Sequence, residues 1–275
     1  MDRLPRARKR FGQNFLASAG TIEKISRKAG ELADGDVLEI GPGRGALTAA
    51  LIESGLRVTA VEIDRDLVVY LRDRFRESSF SIEEADILKV RFADLLGGLD
   101  IPRADRFLVV GNLPYNISKP VVRKLVDERE TVSGAVLMFQ KEVAKRLTAS
   151  PGSRDYGPLG IFAGLFYRIQ AWFDLAPGNF RPAPKVTSTV TLWERRDDPF
   201  LDPASEQRFR TCLEVCFRNR RQTLFNNLRH GLAGGEPAAR ELLEEADLDG
   251  RARAESLEPA TFHSLARLWP EALPE

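Results

Sequence analysis

Residues 39–48 read EIGPGRGALT, and they follow the apolar run Val37 to Ile40. A short buried strand thus breaks into a turn with glycines at 41, 43 and 45, and a helical pattern, Ala46 to Ser54, starts at once. Glycine lets a backbone turn sharply and come close to a ligand, and a helix N-terminus directly after it favours negative charge. Working outward, the same alternation repeats. A helix is expected at Thr21 to Ala29, strands at Val58 to Ile63, Ser81 to Glu84, Phe107 to Val110 and Ala135 to Phe139. Helices are expected at Arg65 to Phe75, from about Lys119 to Glu128, and from near Glu142. That rhythm predicts an α/β fold with a mostly parallel sheet covered on both faces.

The rhythm then changes. Arg168 to Leu175 and Thr187 to Arg195 are β-rich with no clear helix between them, which predicts an antiparallel pair closing the sheet edge. Beyond the linker Asp198 to Pro203 the pattern is helical only. We therefore expect a catalytic domain over 1–200, with a basic arm at 1–16, and a small all-helical domain over 201–275.

Composition narrows the function. The chain has 275 residues, enough for a full core, and no run of 18 apolar residues, so a soluble, cytoplasmic, monomeric protein away from membranes is expected. Its two cysteines, Cys212 and Cys216, lie four apart in a helical pattern, and histidine occurs only at 230 and 263. No metal site is assembled from these; two small apolar residues on one helix face is the preferred reading. Charges nearly balance, 41 basic against 40 acidic, but they segregate. Arg3, Arg6, Arg8, Lys9 and Arg10 form a basic arm, and Arg208, Arg210, Arg218, Arg220, Arg221 and Arg229 stand against Glu214 alone, whereas residues 241–258 hold seven acids against Arg251 and Arg253. Solvated helix faces are the usual explanation of such runs. Arginine-rich segments also suit phosphate, which guanidinium binds in a two-pronged fashion.

The strand ends carry the candidate chemistry. Glu62 and Asp64 end the second strand and Asp86 the third, so their carboxylates share the crevice at the C-terminal edge of a parallel sheet. Glu62 is the natural acceptor for ribose hydroxyls, and Asp64 suits the cap of the next helix. Asp86 either caps the segment after its strand or receives an adenine amine. Gly41-x-Gly43-x-x-Ala46 with Glu62 also satisfies the loose dinucleotide fingerprint, which keeps a nicotinamide-dependent oxidoreductase open. The fourth strand ends in Asn112-Leu113-Pro114-Tyr115. Alone this is a turn. Beside the glycine turn and the acids it fits methylation of an exocyclic adenine nitrogen, a planar amine whose lone pair is delocalised into the ring. An Asn side-chain oxygen and a main-chain carbonyl accepting its two N–H bonds would localise that pair. Pro114 keeps the chain extended with no competing N–H, and Tyr115 offers a stacking face.

KRFGQNFL (9–16), EIGPGRGALT, VEIDRDL (61–67), GNLPYNIS (111–118), FQKEVAKRL (139–147), YGPLGIF (156–162), FRPAPKVTSTV (180–190) and FRNRRQTLFNNL (217–228) resemble, in order, the small-subunit (16S-type) rRNA adenine N6,N6-dimethyltransferases. The erythromycin-resistance methyltransferases of large-subunit rRNA share the tetrad, but YGPLGIF and the arginine-rich block look more like the small-subunit enzymes. The resemblance implies a Rossmann-like methyltransferase sheet and S-adenosylmethionine as cofactor. Its contacts would be Gln13, Asn14 and Leu16 of the arm, Gly41 and Gly43 of the turn, Glu62 and Ile63, Asp86 and Ile87, and Asn112. Asn112 and the Leu113 carbonyl would hold the target amine, with Pro114 and Tyr115 beside it. Phe180 would form a second aromatic wall, although taken alone it is an ordinary loop aromatic. Arg8, Lys9, Arg10, Arg181, Lys185, Arg218, Arg220 and Arg221 would meet RNA within a ribosomal particle. Arg44 departs from the family, where Leu is common. An RNA-binding assembly factor with a vestigial site is the remaining alternative.

Overall fold

In the computed structural model, residues 5, 7–8, 11–96, 106–196 and 203–269 are described. Arg3, Arg6, Lys9 and Arg10 lie outside them, as does most of the expected linker, residues 198–202. The chain forms two compact units, one of residues 1–144 and 167–195, the other of 145–166 and 196–275.

The first unit starts with β1 (Phe15–Leu16), then α1 (Ala19–Leu32), β2 (Asp36–Ile40), α2 (Ala46–Glu53), β3 (Arg57–Glu62), α3 (Arg65–Arg74) and β4 (Phe80–Glu84). It continues with α4 (Phe92–Leu96), β5 (Phe107–Asn112), α5 (Ser118–Asp127), β6 (Val132–Gln140) and α6 (Lys141–Leu147), which runs into the second unit. After α7 (Pro158–Phe166) of the second unit, β7 (Tyr167–Leu175), β8 (Phe180–Arg181) and β9 (Ser188–Arg195) complete it. The strand order is β4-β3-β2-β5-β6-β9-β7. β4, β3, β2, β5 and β6 run parallel, while β9 is antiparallel to both β6 and β7. The antiparallel pair is as expected, with the later strand inserted inside the earlier one. This differs from the usual dinucleotide-binding order, which has no reversed strand inside the sheet.

Every residue of β2 is buried, and so are the first five of β5, because helices on both faces leave a parallel strand no wet side. Val37, Leu108, Val110, Val136 and Val190 belong to one continuous core. Gly111 interrupts the apolar run for a steric reason: a Cβ there would sit 2.8 Å from the Ile40 carbonyl oxygen of the neighbouring strand. α3 begins where expected, with the Asp64 side chain accepting from the Asp66 N–H at 3.2 Å, a cap worth about 1 kcal/mol.

The second unit is helical: α7, α8 (Pro203–Cys216), α9 (Leu224–Gly231), α10 (Gly235–Glu245) and α11 (Pro259–Arg267). Phe209, Cys212, Leu228, Leu242 and Phe262 are among its fully buried side chains. The sequence boundary near 200 becomes several crossings, because 145–166 packs as part of this unit. The all-apolar PLGIFAGLF of α7 has no polar face to reveal its period.

Candidate active site

The parallel strands reverse their order of succession between β2 and β5, and in open α/β sheets ligands bind at that crevice. A cavity of about 240 Å³ opens there. It is lined from four strand ends, by Gly41 and Gly43, Glu62 and Ile63, Asp86 and Ile87, and Asn112 to Tyr115, and from the arm by Gln13 and Asn14. Twelve residues proposed from the sequence therefore meet in one place. Two do not. Leu16 is buried at 8% exposure and absent from this cavity, and Phe180 is 1% exposed and belongs to the core. The reason is local: Leu16 pairs with Phe180, and Phe15 with Arg181, in an antiparallel ladder that turns the Leu16 and Phe180 side chains inward. Phe180 is thus a core residue in this structure and not an aromatic wall of the cavity.

That ladder also positions the arm. Gln13 Nε2 donates to Asp64 Oδ2 at 3.1 Å, and the Arg8 N–H donates to Gln13 Oε1 at 2.7 Å. Arg8, expected on RNA, instead ion-pairs with Asp64 at 3.0 Å and with Asp66. The two acids at the start of α3 supply the nearest counter-charge. Sequence reasoning missed Phe11 and Phe15, which line the cavity as well. Their spacing of four in FGQNF was the available signal. Gly43 has φ +59°, and a Cβ on it would lie 2.7 Å from the Phe15 ring, so the turn and the arm fit only without a side chain.

Glu62 is 6% exposed. Its Oε1 accepts from the Asp64 N–H at 3.0 Å and its Oε2 from the Gly43 N–H at 3.4 Å. Burial pushes its pKa up, against the pull of these backbone donors. Each oxygen keeps a second lone pair for an incoming hydroxyl. Asp86 Oδ1 accepts from the Leu88 N–H at 3.0 Å, and its other oxygen has no partner among the described residues. Deeper in β2, Glu39 is 2% exposed, and burial raises its pKa to about 7, with the Glu62 charge adding to the rise and a 2.6 Å hydrogen bond from Thr48 opposing it.

Asn112 Nδ2 donates to the Asn14 carbonyl at 2.7 Å. A carbonyl can only accept, so this contact fixes which end of the amide is which. Asn112 Oδ1 is left without a donor among the described residues, and so is the Leu113 carbonyl. The site therefore presents two unfilled acceptors on consecutive residues, followed by a proline that has no N–H. The Tyr115 hydroxyl lies 3.2 Å from Ser188 Oγ, which is buried at the start of β9.

The donor set fits S-adenosylmethionine: a buried carboxylate for ribose, a carboxylate with a free oxygen for an adenine amine, apolar Ile63 and Ile87 beside them, and a side-chain-free turn. In the helical unit, Arg218, Arg220 and Arg221 lie on the turn between α8 and α9, and all are exposed. Asn227 shapes that turn, donating to the carbonyls of Cys216 and Asn219 at 2.8 and 3.1 Å and accepting from the Asn219 N–H at 3.1 Å. Arg220 is ion-paired with Glu255. Arg181 and Lys185 are exposed in the first unit.

Comparison with known proteins gives a consistent picture. A family model described as ribosomal RNA adenine dimethylase matches residues 5–269. "Ribosomal RNA small subunit methyltransferase A" of Pseudomonas aeruginosa is 41% identical over 95% of this chain and 94% of its own length. The protein of that name from Geobacter sulfurreducens is 40% identical, covering 95% of each. Among solved structures, a dimethyladenosine transferase from Plasmodium falciparum is similar with a TM-score of 0.75 and 26% identity over 91% of this chain and 95% of that one. The 23S rRNA methyltransferase ErmE is similar with a TM-score of 0.68 and 27% identity over 92% and 98%.

Proposed function

The chain belongs to the ribosomal RNA adenine dimethylase family, and from that premise we propose that it transfers methyl groups from S-adenosylmethionine to N6 of adenines in small-subunit rRNA, dimethylating two adjacent adenosines near the 3′ end. The observation that carries this reading is the pair of unfilled acceptors, Asn112 Oδ1 and the Leu113 carbonyl, at the mouth of a cavity suited to the cofactor.

When bound, the cofactor supplies an electrophilic sulfonium methyl group. The chain's own residues do the rest by placement. Asn112 and the Leu113 carbonyl accept the two N–H bonds of the target amine, which draws its lone pair out of the ring and aims it at the methyl group. Pro114 keeps this segment extended. Tyr115 stacks on the extruded base, and Ser188 holds the hydroxyl of that ring. The alkylated amine is acidic enough to lose its proton to water, so no strong base is required. In the second round the amine has one N–H left, and one acceptor suffices. Gln13 and Asn14 of the arm, Gly41, Gly43, Glu62, Ile63, Asp86 and Ile87 are our assignments for cofactor contact. Arg181, Lys185, Arg218, Arg220 and Arg221 are our assignments for phosphate contact, on a ribosomal particle, by a cytoplasmic monomer.

The test is to incubate the protein with tritiated S-adenosylmethionine and undermethylated small subunits, digest the RNA and look for N6,N6-dimethyladenosine. Label in large-subunit RNA, or in neither, overturns the reading. Asn112→Ala is expected to abolish transfer while leaving cofactor binding measurable; unchanged turnover would remove the tetrad from the mechanism.

A further inference from the structure

Next to the cofactor cavity lies a second one of about 220 Å³. The two share Phe15, Gly41, Gly43 and Asn112, so the second begins where the target amine would be held. Three arginines from different elements line it: Arg44 of the glycine turn, Arg74 at the end of α3, and Arg181 of β8. What holds them is unusual in one respect. Arg44 donates from Nε and Nη2 to the Pro5 carbonyl at 3.0 and 2.8 Å. Arg74 Nη1 donates to the Arg44 carbonyl at 2.6 Å, and Arg181 Nη1 to the carbonyls of Gly178 and Phe180 at 3.0 and 2.9 Å. Each guanidinium is therefore anchored by neutral acceptors, and among the described residues none of the three is paired with a carboxylate. Carbonyl anchoring fixes a guanidinium without cancelling its charge.

The remaining lining supports the same sign. The N-terminus of α2 opens here, with Gly45 as its cap and no side-chain acceptor on its first N–H groups. The one acid in the lining, Glu39, is 2% exposed and is bonded to Thr48. The arrangement suits an oxyanion. The cofactor's own carboxylate and a nucleic-acid phosphodiester share the required oxyanion chemistry. Arg74 and Arg181 are solvent-exposed, and three cations exceed what one enclosed carboxylate needs, whereas a strand passing over the surface brings one phosphate per nucleotide.

We propose that the Arg44–Arg74–Arg181 cavity is a phosphate subsite that grips the RNA backbone next to the extruded adenosine. The inference rests on the rRNA reading above. It also gives Arg44 a function: it brings a cation to a turn that otherwise carries none.

The test uses the full chain carrying Arg74→Gln and Arg181→Gln together, both at exposed positions. Binding to undermethylated small subunits is measured between about 50 and 200 mM KCl, on the order of the range in which phosphate contacts are released, and cofactor binding is measured in parallel with tritiated S-adenosylmethionine. In the double variant, RNA affinity is expected to fall about tenfold and the slope of log K against log salt to flatten by about 0.7 to 0.9, the loss of one phosphate contact. Cofactor affinity is expected to stay within about twofold. An unchanged salt slope overturns the proposal, and an unchanged slope with weakened cofactor binding hands the subsite to the cofactor's carboxylate. If the unaltered protein neither binds nor methylates small-subunit RNA, the functional reading itself falls, an outcome distinct from either.

Discussion

Replacing Glu39 by Gln is expected to change how the stability of the α/β unit depends on pH. Glu39 is buried in a central strand, and its pKa is raised from 4.5 to about 7. An acid whose folded pKa lies above its unfolded one destabilises the fold where it must ionise. Below about pH 4.5 both states hold the proton and there is no penalty. Between 4.5 and about 7 the folded state keeps a proton that the unfolded state releases, so stability falls as pH rises. Above about 7 the penalty is complete. At about 1.4 kcal/mol per unit, a shift of that size amounts to roughly 3 kcal/mol, most of it lost between about pH 5 and pH 8.5. The amide of the Glu39→Gln variant never ionises. Whatever the substitution costs in lost contact with Thr48 is the same at every pH. Urea unfolding of both proteins without cofactor, at about pH 5 and pH 8.5, isolates the effect of ionisation. The wild-type midpoint is expected to lose about 1 M relative to the variant over that range, at an m-value of about 2 kcal/mol/M. A gap between the two proteins that stays constant within about 0.5 kcal/mol would show that Glu39 is not protonated in the fold near neutrality, and would refute the argument from burial.

Two further expectations concern the site. Gly43→Ala forces an L side chain into the left-handed region and against the Phe15 ring; a cost of at least about 1 kcal/mol and a displaced arm should raise the Kd for S-adenosylmethionine about tenfold or more, and an unaltered Kd in equilibrium dialysis would dissociate the arm from cofactor binding. Ser188→Ala removes the hydrogen-bond partner of the Tyr115 hydroxyl. It should lower kcat/KM for RNA by about 3- to 10-fold with cofactor affinity intact, and adding Tyr115→Phe should cost little more, since both changes delete one bond. Independent, multiplying losses would mean that Ser188 acts some other way.

The parallel sheet was legible because its strands are continuous apolar runs ended by Gly, Asp or Asn, a pattern that survives without any partner in view. The cavity was legible for the same reason: strand ends of a parallel sheet converge on one edge, so Glu62, Asp86 and Asn112 could be grouped from topology alone. What escaped has no periodicity to display. β1 and β8 have two residues each, and nothing in FL or FR says that they pair. Without that ladder, Phe180 reads as a loop aromatic, when its ring is part of the core. Arg8 likewise reads as one more member of a basic arm, because its acids are 56 and 58 residues away in sequence.

The β1–β8 ladder has a temporal consequence. Phe15 is translated before β2 to β7, and its partner Arg181 only after them. A nascent chain that has already emerged past the glycine turn, the strand-end acids and Asn112 can hold the arm through Arg8, Gln13 and Asn14, but it still lacks the strand that pairs with Phe15 and Leu16. The last tie that fixes the backbone of the arm beside the pocket is therefore made by a strand that is translated after every parallel strand of the sheet.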